Sequence, residues 1–254
     1  MKKLNPATLI HLDLFAGIPD AVAGTSGRDA YLVFWWRSIP LGHHHLRADA
    51  LPISNTQLQN LASRAVSLAV GDYLIGGAFE APLPELATAE ACQVLPDYQR
   101  LRRLENPLRA LDVEPSASPH ESISVIVCTR DRPQSLDRCL RSLMNCSDAP
   151  AEIVVVDNCP TSDATHQVVA RYPSVQYVLE SRPGLDIARN TGICRSRGRI
   201  VAFADDDVTV HPKWIRRLQE CFSDSQVMAA TGLVLPAELE TEAQGIFEQY
   251  WGFN

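Results

Sequence analysis

From residue 122 onward, short continuous apolar runs alternate with stretches whose apolar residues recur every third or fourth position. The runs at 124–128, 153–156, 175–179 and 200–204 are rich in Val and Ile and read as strands buried on both faces. Between them, Leu136, Cys139, Leu140 and Leu143 recur at helical spacing after a Pro133 suited to a first helical position. Residues 166–170 and 184–195 read as two further helices, and Trp214, Leu218 and Phe222 mark another. Residues 227–234 are a fifth strand candidate. Strands alternating with helices predict an α/β fold, a mostly parallel sheet with helices on both faces.

The first half is less regular. Residues 31–36, aromatic and β-branched, predict a strand. Ser54 or Asn55 can cap a helix carrying Leu58, Leu61, Ala65 and Leu68 on one face, and residues 98–111 suggest a second helix interrupted at Pro107. Residues 113–121 hold two prolines and two serines and read as a linker. The expected organisation is a smaller α+β region at 1–112, a linker at 113–121, and the α/β domain at 122–254.

Composition narrows the function. At 254 residues the chain can bury one large or two modest cores. A net charge of -7 argues against a general nucleic-acid binder. The seven cysteines are odd in number and lack CxxC spacing, so they read as small core residues in a reducing compartment, and a cytoplasmic location is expected. No apolar stretch is long enough to span a bilayer, and no signal peptide is recognised at the start. Peripheral contact with a membrane stays open. His43, His44 and His45 invite a metal reading, but adjacent side chains diverge, and a structural role is expected.

Polar residues gather where each run ends: Thr129-Arg130-Asp131-Arg132 after the first, Asp157-Asn158 after the second, Ser181-Arg182-Pro183-Gly184 after the third, Asp205-Asp206-Asp207 after the fourth. Open α/β sheets bind their ligands at the carboxyl ends of strands. Three adjacent carboxylates repel one another unless a cation joins them. Hard oxygen donors at a strand end suit Mn²⁺ or Mg²⁺ holding a diphosphate; the alternative is a solvated acidic turn before Pro212.

Taken together, the run 124–132, Val154-Val155-Val156-Asp157-Asn158, Pro183-Gly184-Leu185-Asp186-Ile187-Ala188-Arg189-Asn190 and Phe203-Ala204-Asp205-Asp206-Asp207 resemble family 2 glycosyltransferases, nucleotide-sugar enzymes of the GT-A fold. The resemblance implies an inverting, metal-dependent transfer from a nucleoside-diphosphate sugar, UDP- or dTDP-linked, to an unknown acceptor. It further implies that Thr129 and Asp131 line the nucleotide pocket and that Asp157 binds the base. Arg189 would lie near base or phosphates, Asp205 near the ribose and the metal, and Asp207 on the metal, with Asp206 in the variable middle position. For Asp131, capping of the following helix is the competing role. Family members continue into an acceptor-binding half with an acidic general base. Here Glu238, Glu240, Glu242 and Glu248 read as a solvated helix face instead, so the expectation is a truncated chain. A nucleotide-sugar binder without transfer is the alternative. A Rossmann-type enzyme is disfavoured because no GxGxxG follows the first strand.

Overall fold

The computed structural model describes residues 5–24, 27–76 and 121–252, with side-chain surroundings given for all of these except 66–76. The expected helix at 98–111 and nearly all of the linker lie outside the described residues. The chain divides into two compact units. One is Pro115–Gly232; the other joins Met1–Glu114 to Leu233–Asn254.

The first unit is built on a three-stranded sheet. Strand β1 (Ala7–Asp13) runs parallel to β3 (Asp29–Trp36), which pairs antiparallel with β4 (Ile39–Leu46). A short pair, β2 (Ala21–Val22) and β5 (Ile53–Ser54), leads into helix α1 (Asn55–Gly76). Ser54 and Gln57 form a reciprocal cap: the Gln57 amide oxygen accepts from Ser54 N at 2.9 Å, and Ser54 Oγ accepts from Gln57 N at 3.4 Å. That is the start signal expected at Ser54. Leu58 and Ala62 of α1 pack on Leu32, Phe34 and Trp36 of β3, covering one face of the sheet.

The other face is covered from far along the chain. Leu235 and Leu239 pack on Tyr31 and Val33, and Ala7 N donates to Leu239 O at 2.7 Å. Helix α6 (Glu242–Trp251) follows, opened by a capping box between Thr241 and Gln244. One of the late glutamates departs from the solvated face expected of it, Glu248, which is partly buried, while Glu240 stays exposed and pairs at the surface. Glu240 accepts from Arg28 at 2.6 Å, and Glu248 accepts from the Tyr31 hydroxyl at 2.7 Å. Position 31 lies in a strand that needed a second apolar cover, and the 233–252 segment supplies it. Residues 227–234 are not the strand expected. Met228 is largely exposed, and only Leu239 forms a bridge, to Ala7. The expected domain at 122–254 thus differs from the compact unit, which ends at Gly232. The histidines serve the first sheet: His43 stacks on Tyr31, and His45 Nε2 lies 3.2 Å from Asp29 Oδ2.

The second unit is the α/β fold expected. Four parallel strands, β6 (Ile123–Thr129), β7 (Glu152–Asn158), β8 (Val175–Glu180) and β9 (Ile200–Asp205), stand in the order β8-β7-β6-β9. Helices α2 (Pro133–Met144), α3 (Ala164–Val169) and α5 (Trp214–Cys221) bury Leu136, Leu140, Val168 and Ile215 on one face. Helix α4 (Leu185–Arg195) places Ala188 on the other. The change of face follows from strand order. The connections to β7 and β8 step one way, the connection to β9 steps back past β6, and a crossover of constant hand then lies on the opposite side.

Candidate functional site

The strand order reverses between β6 and β9, and the carboxyl ends of strands at such a reversal are where open α/β sheets bind ligands. Register brings Cys128 beside Asp205 and Thr129 beside Asp157, so the polar ends of β6, β7 and β9 share one edge.

The acidic triplet divides into three roles. Asp206 is the buried member. Its Oδ2 accepts from Thr129 Oγ1 at 2.7 Å, and its Oδ1 lies 3.3 Å from Arg132 Nη1. Its position, read from sequence as the variable middle, is the strut that ties the end of β9 to the end of β6. Thr129 is correspondingly enclosed, its hydroxyl spent on Asp206. Asp207 is exposed, and Oδ2 accepts from the same Arg132 nitrogen at 3.3 Å. Asp205 is exposed, and among the described residues its carboxylate has no hydrogen-bond or ion-pair partner. Its carbonyl accepts from the Cys139 thiol at 3.4 Å; burial pushes that thiol up to about 12, so it stays a donor.

The remaining sites sit around this edge. Asp131 holds a left-handed φ of 54°, which Asp tolerates better than most residues. It does not cap α2, whose N-cap is Arg132 without a side-chain cap bond. Instead Asp131 Oδ1 accepts from Thr161 N at 2.8 Å and Thr161 Oγ1 at 3.0 Å, joining the loops after β6 and β7. These bonds, the backbone one first, hold its carboxyl below the usual range. Arg189, on α4, lies 3.8 Å from Asp186 Oδ1 and 5.8 Å from the Phe203 ring centroid, half-exposed on the α4 face.

Asp157 is the next-to-last residue of β7, with none of its surface exposed. Oδ2 accepts from the Tyr177 hydroxyl at 2.9 Å, while Oδ1 is buried without a hydrogen bond of good geometry. Burial raises its pKa above the usual carboxylate range, and the Tyr177 and Thr165 hydroxyls pull it back. Because the folded pKa is raised, the carboxylate destabilises the fold as pH climbs through that value, and the Tyr177 bond offsets part of this cost. Tyr177→Phe is therefore expected to lower stability by about 1.5–3 kcal/mol above the folded pKa and by less in acid, where the group is neutral. Urea unfolding at pH 8 and at about pH 3, below the ordinary carboxylate value, checks the sign; an equal loss at both would assign the cost to packing.

Asn158 stitches the loop ahead of α4. Its amide donates to Arg182 O at 2.7 Å and its Oδ1 accepts from Gly184 N at 2.9 Å, with Gly184 at a φ of 140° that favours glycine. Glu180 then accepts from Arg182 through both oxygens, at 3.0 Å each, and from Thr191 Oγ1 at 2.6 Å. These bonds, Arg182 first, hold its carboxyl down at about 2. The sequence singled out neither Glu180 nor Tyr177, and it placed Arg132 in the polar cluster after the first run without a role of its own. Only Arg132 carried a usable signal, as the polar residue just before the helix-starting Pro133.

The donor set at the carboxyl ends of β6 and β9 suits a divalent cation of a particular kind. Among the described residues no group of three or more His, Cys, Asp or Glu side chains converges on one point. A closed protein cage is thus absent from them. Two exposed carboxylates, Asp205 and Asp207, flank a buried one. Mg²⁺ and Mn²⁺ accept one or two carboxylates, with phosphate oxygens and water completing the shell. Asp205 and Asp207 are the side chains here that could hold such a cation.

Residues 124–244 match the model of glycosyl transferase family 2, so the resemblance over this segment is shown. Succinoglycan biosynthesis protein ExoM of Rhizobium meliloti is 35% identical over 125 residues, covering 46% of this chain and 40% of that protein. ExoO of the same organism is 32% identical over 109 residues, covering 42% and 31%. The putative teichuronic acid biosynthesis glycosyltransferase TuaG of Bacillus subtilis is 29% identical over 122 residues, covering 46% and 48%. The chain thus spans between about a third and half of the length of these curated relatives. Among solved structures, S. aureus TarS in complex with UDP aligns at 22% identity and a TM-score of 0.39, covering 45% of this chain and 38% of that one. No described helix is long and apolar enough to cross a membrane.

Proposed function

We propose that the chain is the donor-binding portion of a metal-dependent glycosyltransferase that takes its sugar from a UDP- or dTDP-linked donor and transfers it with inversion. One observation carries this reading: the β6–β9 reversal brings Thr129, Arg132 and the three aspartates to a single sheet edge, within the segment that matches the family. Asp205 and Asp207 would hold Mn²⁺ or Mg²⁺, which when bound offsets the charge of a leaving nucleoside diphosphate. Thr129 acts through Asp206, fixing the turn on which both exposed carboxylates stand. Asp157 and Asp131 frame the neighbouring strand ends, where the base would lie, and Arg189 stands on the α4 side of the same edge. The general base is not among them.

Cytoplasmic location is supported by the free thiols, six among the described residues. The same reading leaves room for peripheral membrane contact. Donor binding without transfer is a second reading. It is favoured by the bond from the Tyr31 hydroxyl to the partly buried Glu248, which engages one of the late glutamates.

Calorimetry with UDP, dTDP and ADP, each with and without Mn²⁺, tests the proposal. UDP or dTDP is expected to bind only with the metal, and ADP weakly. Binding that ignores both metal and base would refute it. Donor hydrolysis measured alongside separates the two readings, since a pure binder turns over no sugar nucleotide.

A further inference from the structure

Arg132 is the one cation paired with the acidic triplet among the described residues. A single nitrogen, Nη1, stands 3.3 Å from both Asp206 Oδ1 and Asp207 Oδ2. The two ends differ. The Asp206 side chain is 8% exposed and also bonded to Thr129, whereas the side chains of Asp207 and Arg132 are 56% and 59% exposed. An ion pair between two such exposed groups is weak and readily exchanged. The bond to Asp206 is the anchored one.

We infer that Arg132 is a positioning residue for donor binding: an internal counter-cation that holds Asp207 in the metal-free protein and yields it when a divalent cation binds. The inference rests on the proposed donor reading. A guanidinium and a divalent cation on one carboxylate repel each other, so each weakens the other's hold on Asp207. Metal without nucleotide therefore binds against Arg132. A nucleoside diphosphate changes the balance. Arg132 is the N-cap residue of α2 and stands at the same sheet edge, where a displaced guanidinium can donate to diphosphate oxygens. Binding of metal and of diphosphate is thereby coupled, and the bare cation is disfavoured.

The test is Mn²⁺ binding by electron paramagnetic resonance and UDP binding by calorimetry, on the full chain and on R132Q and R132K. R132Q is expected to bind Mn²⁺ alone about tenfold more tightly, and UDP in saturating Mn²⁺ about tenfold more weakly. Opposite shifts are a signature that loss of structure would not produce. R132K keeps the charge and loses the fork, so its Mn²⁺ affinity should stay near that of the unsubstituted chain while its UDP affinity falls. A folded R132Q with unchanged or weaker Mn²⁺ binding, or with tighter UDP binding in Mn²⁺, overturns the inference. Should R132Q not fold, unaltered UDP affinity in R132K overturns it. UDP binding by the unsubstituted chain is read separately: its absence removes the donor reading, while the Mn²⁺ arm still decides whether Arg132 and the cation compete.

Discussion

Replacing Asp207 with alanine is expected to lower Mn²⁺-dependent affinity for a UDP-sugar by about a hundredfold or more, close to 3 kcal/mol, without changing stability. The reason is its exposure. The carboxylate contacts only Arg132, through a weak pair, so the fold loses little when it is removed. Asp206→Ala should behave oppositely. It strips the partner from the buried Thr129 hydroxyl and from Arg132, at a cost of about 1–3 kcal/mol in stability. Its effect on binding should follow from the loosened turn. Urea denaturation paired with calorimetry on the two variants checks the division. If Asp207→Ala loses stability while Asp206→Ala does not, the roles are reversed. An unchanged UDP-sugar affinity in Asp207→Ala would remove it from the donor site.

The second large effect is expected at Gly192. Helix α4 crosses β6 so closely that a Cβ here would lie 2.5 Å from Ile126 Cγ2 and 3.3 Å from Val156 Cγ2. Ile126 and Val156 are fully buried and cannot move aside without disturbing the centre of the sheet. Overpacking of this kind costs about 1–3 kcal/mol, occasionally more, and a valine adds two methyl groups beyond the Cβ. Gly192→Ala should sit at the low end, since alanine recovers about 0.5–1 kcal/mol of helix propensity. Gly192→Val should sit above the range and shift α4. That helix carries Arg189 and begins at the loop held by Asn158, so nucleotide binding should fall with stability. Thermal unfolding of both variants measures the order; a stable Gly192→Val would mean that α4 does not pack on β6 as described.

Much of the second unit was legible before any coordinates. Continuous Val and Ile runs are long enough to be strands, and β6 and β7 are buried on both faces as expected, whereas the edge strands β8 and β9 leave Leu179 and Phe203 exposed. Every one of the four became a parallel strand within two residues of its expected ends. The failure at 227–234 is equally physical. An apolar run becomes a strand only if it pairs, and residues 227–234 leave the outer edge of β9 unpaired; a local pattern carries no information about pairing.

The sequence by itself determined the α/β class, the four-strand order of motifs and the gathering of polar residues at strand ends. Those follow from side-chain periodicity, a local property, and from the alternation of strands with helices, which dictates parallel crossovers. What only the tertiary structure decided is which member of each motif does what. Adjacent aspartates alternate in direction at the end of a strand, so Asp206 turns inward to Thr129 while Asp205 and Asp207 remain at the surface. Asp131 is drawn to Thr161 rather than to its own helix. Tyr31 meets Glu248 across 217 positions of sequence. Such pairings depend on chain segments meeting in space, and no spacing along the chain encodes them.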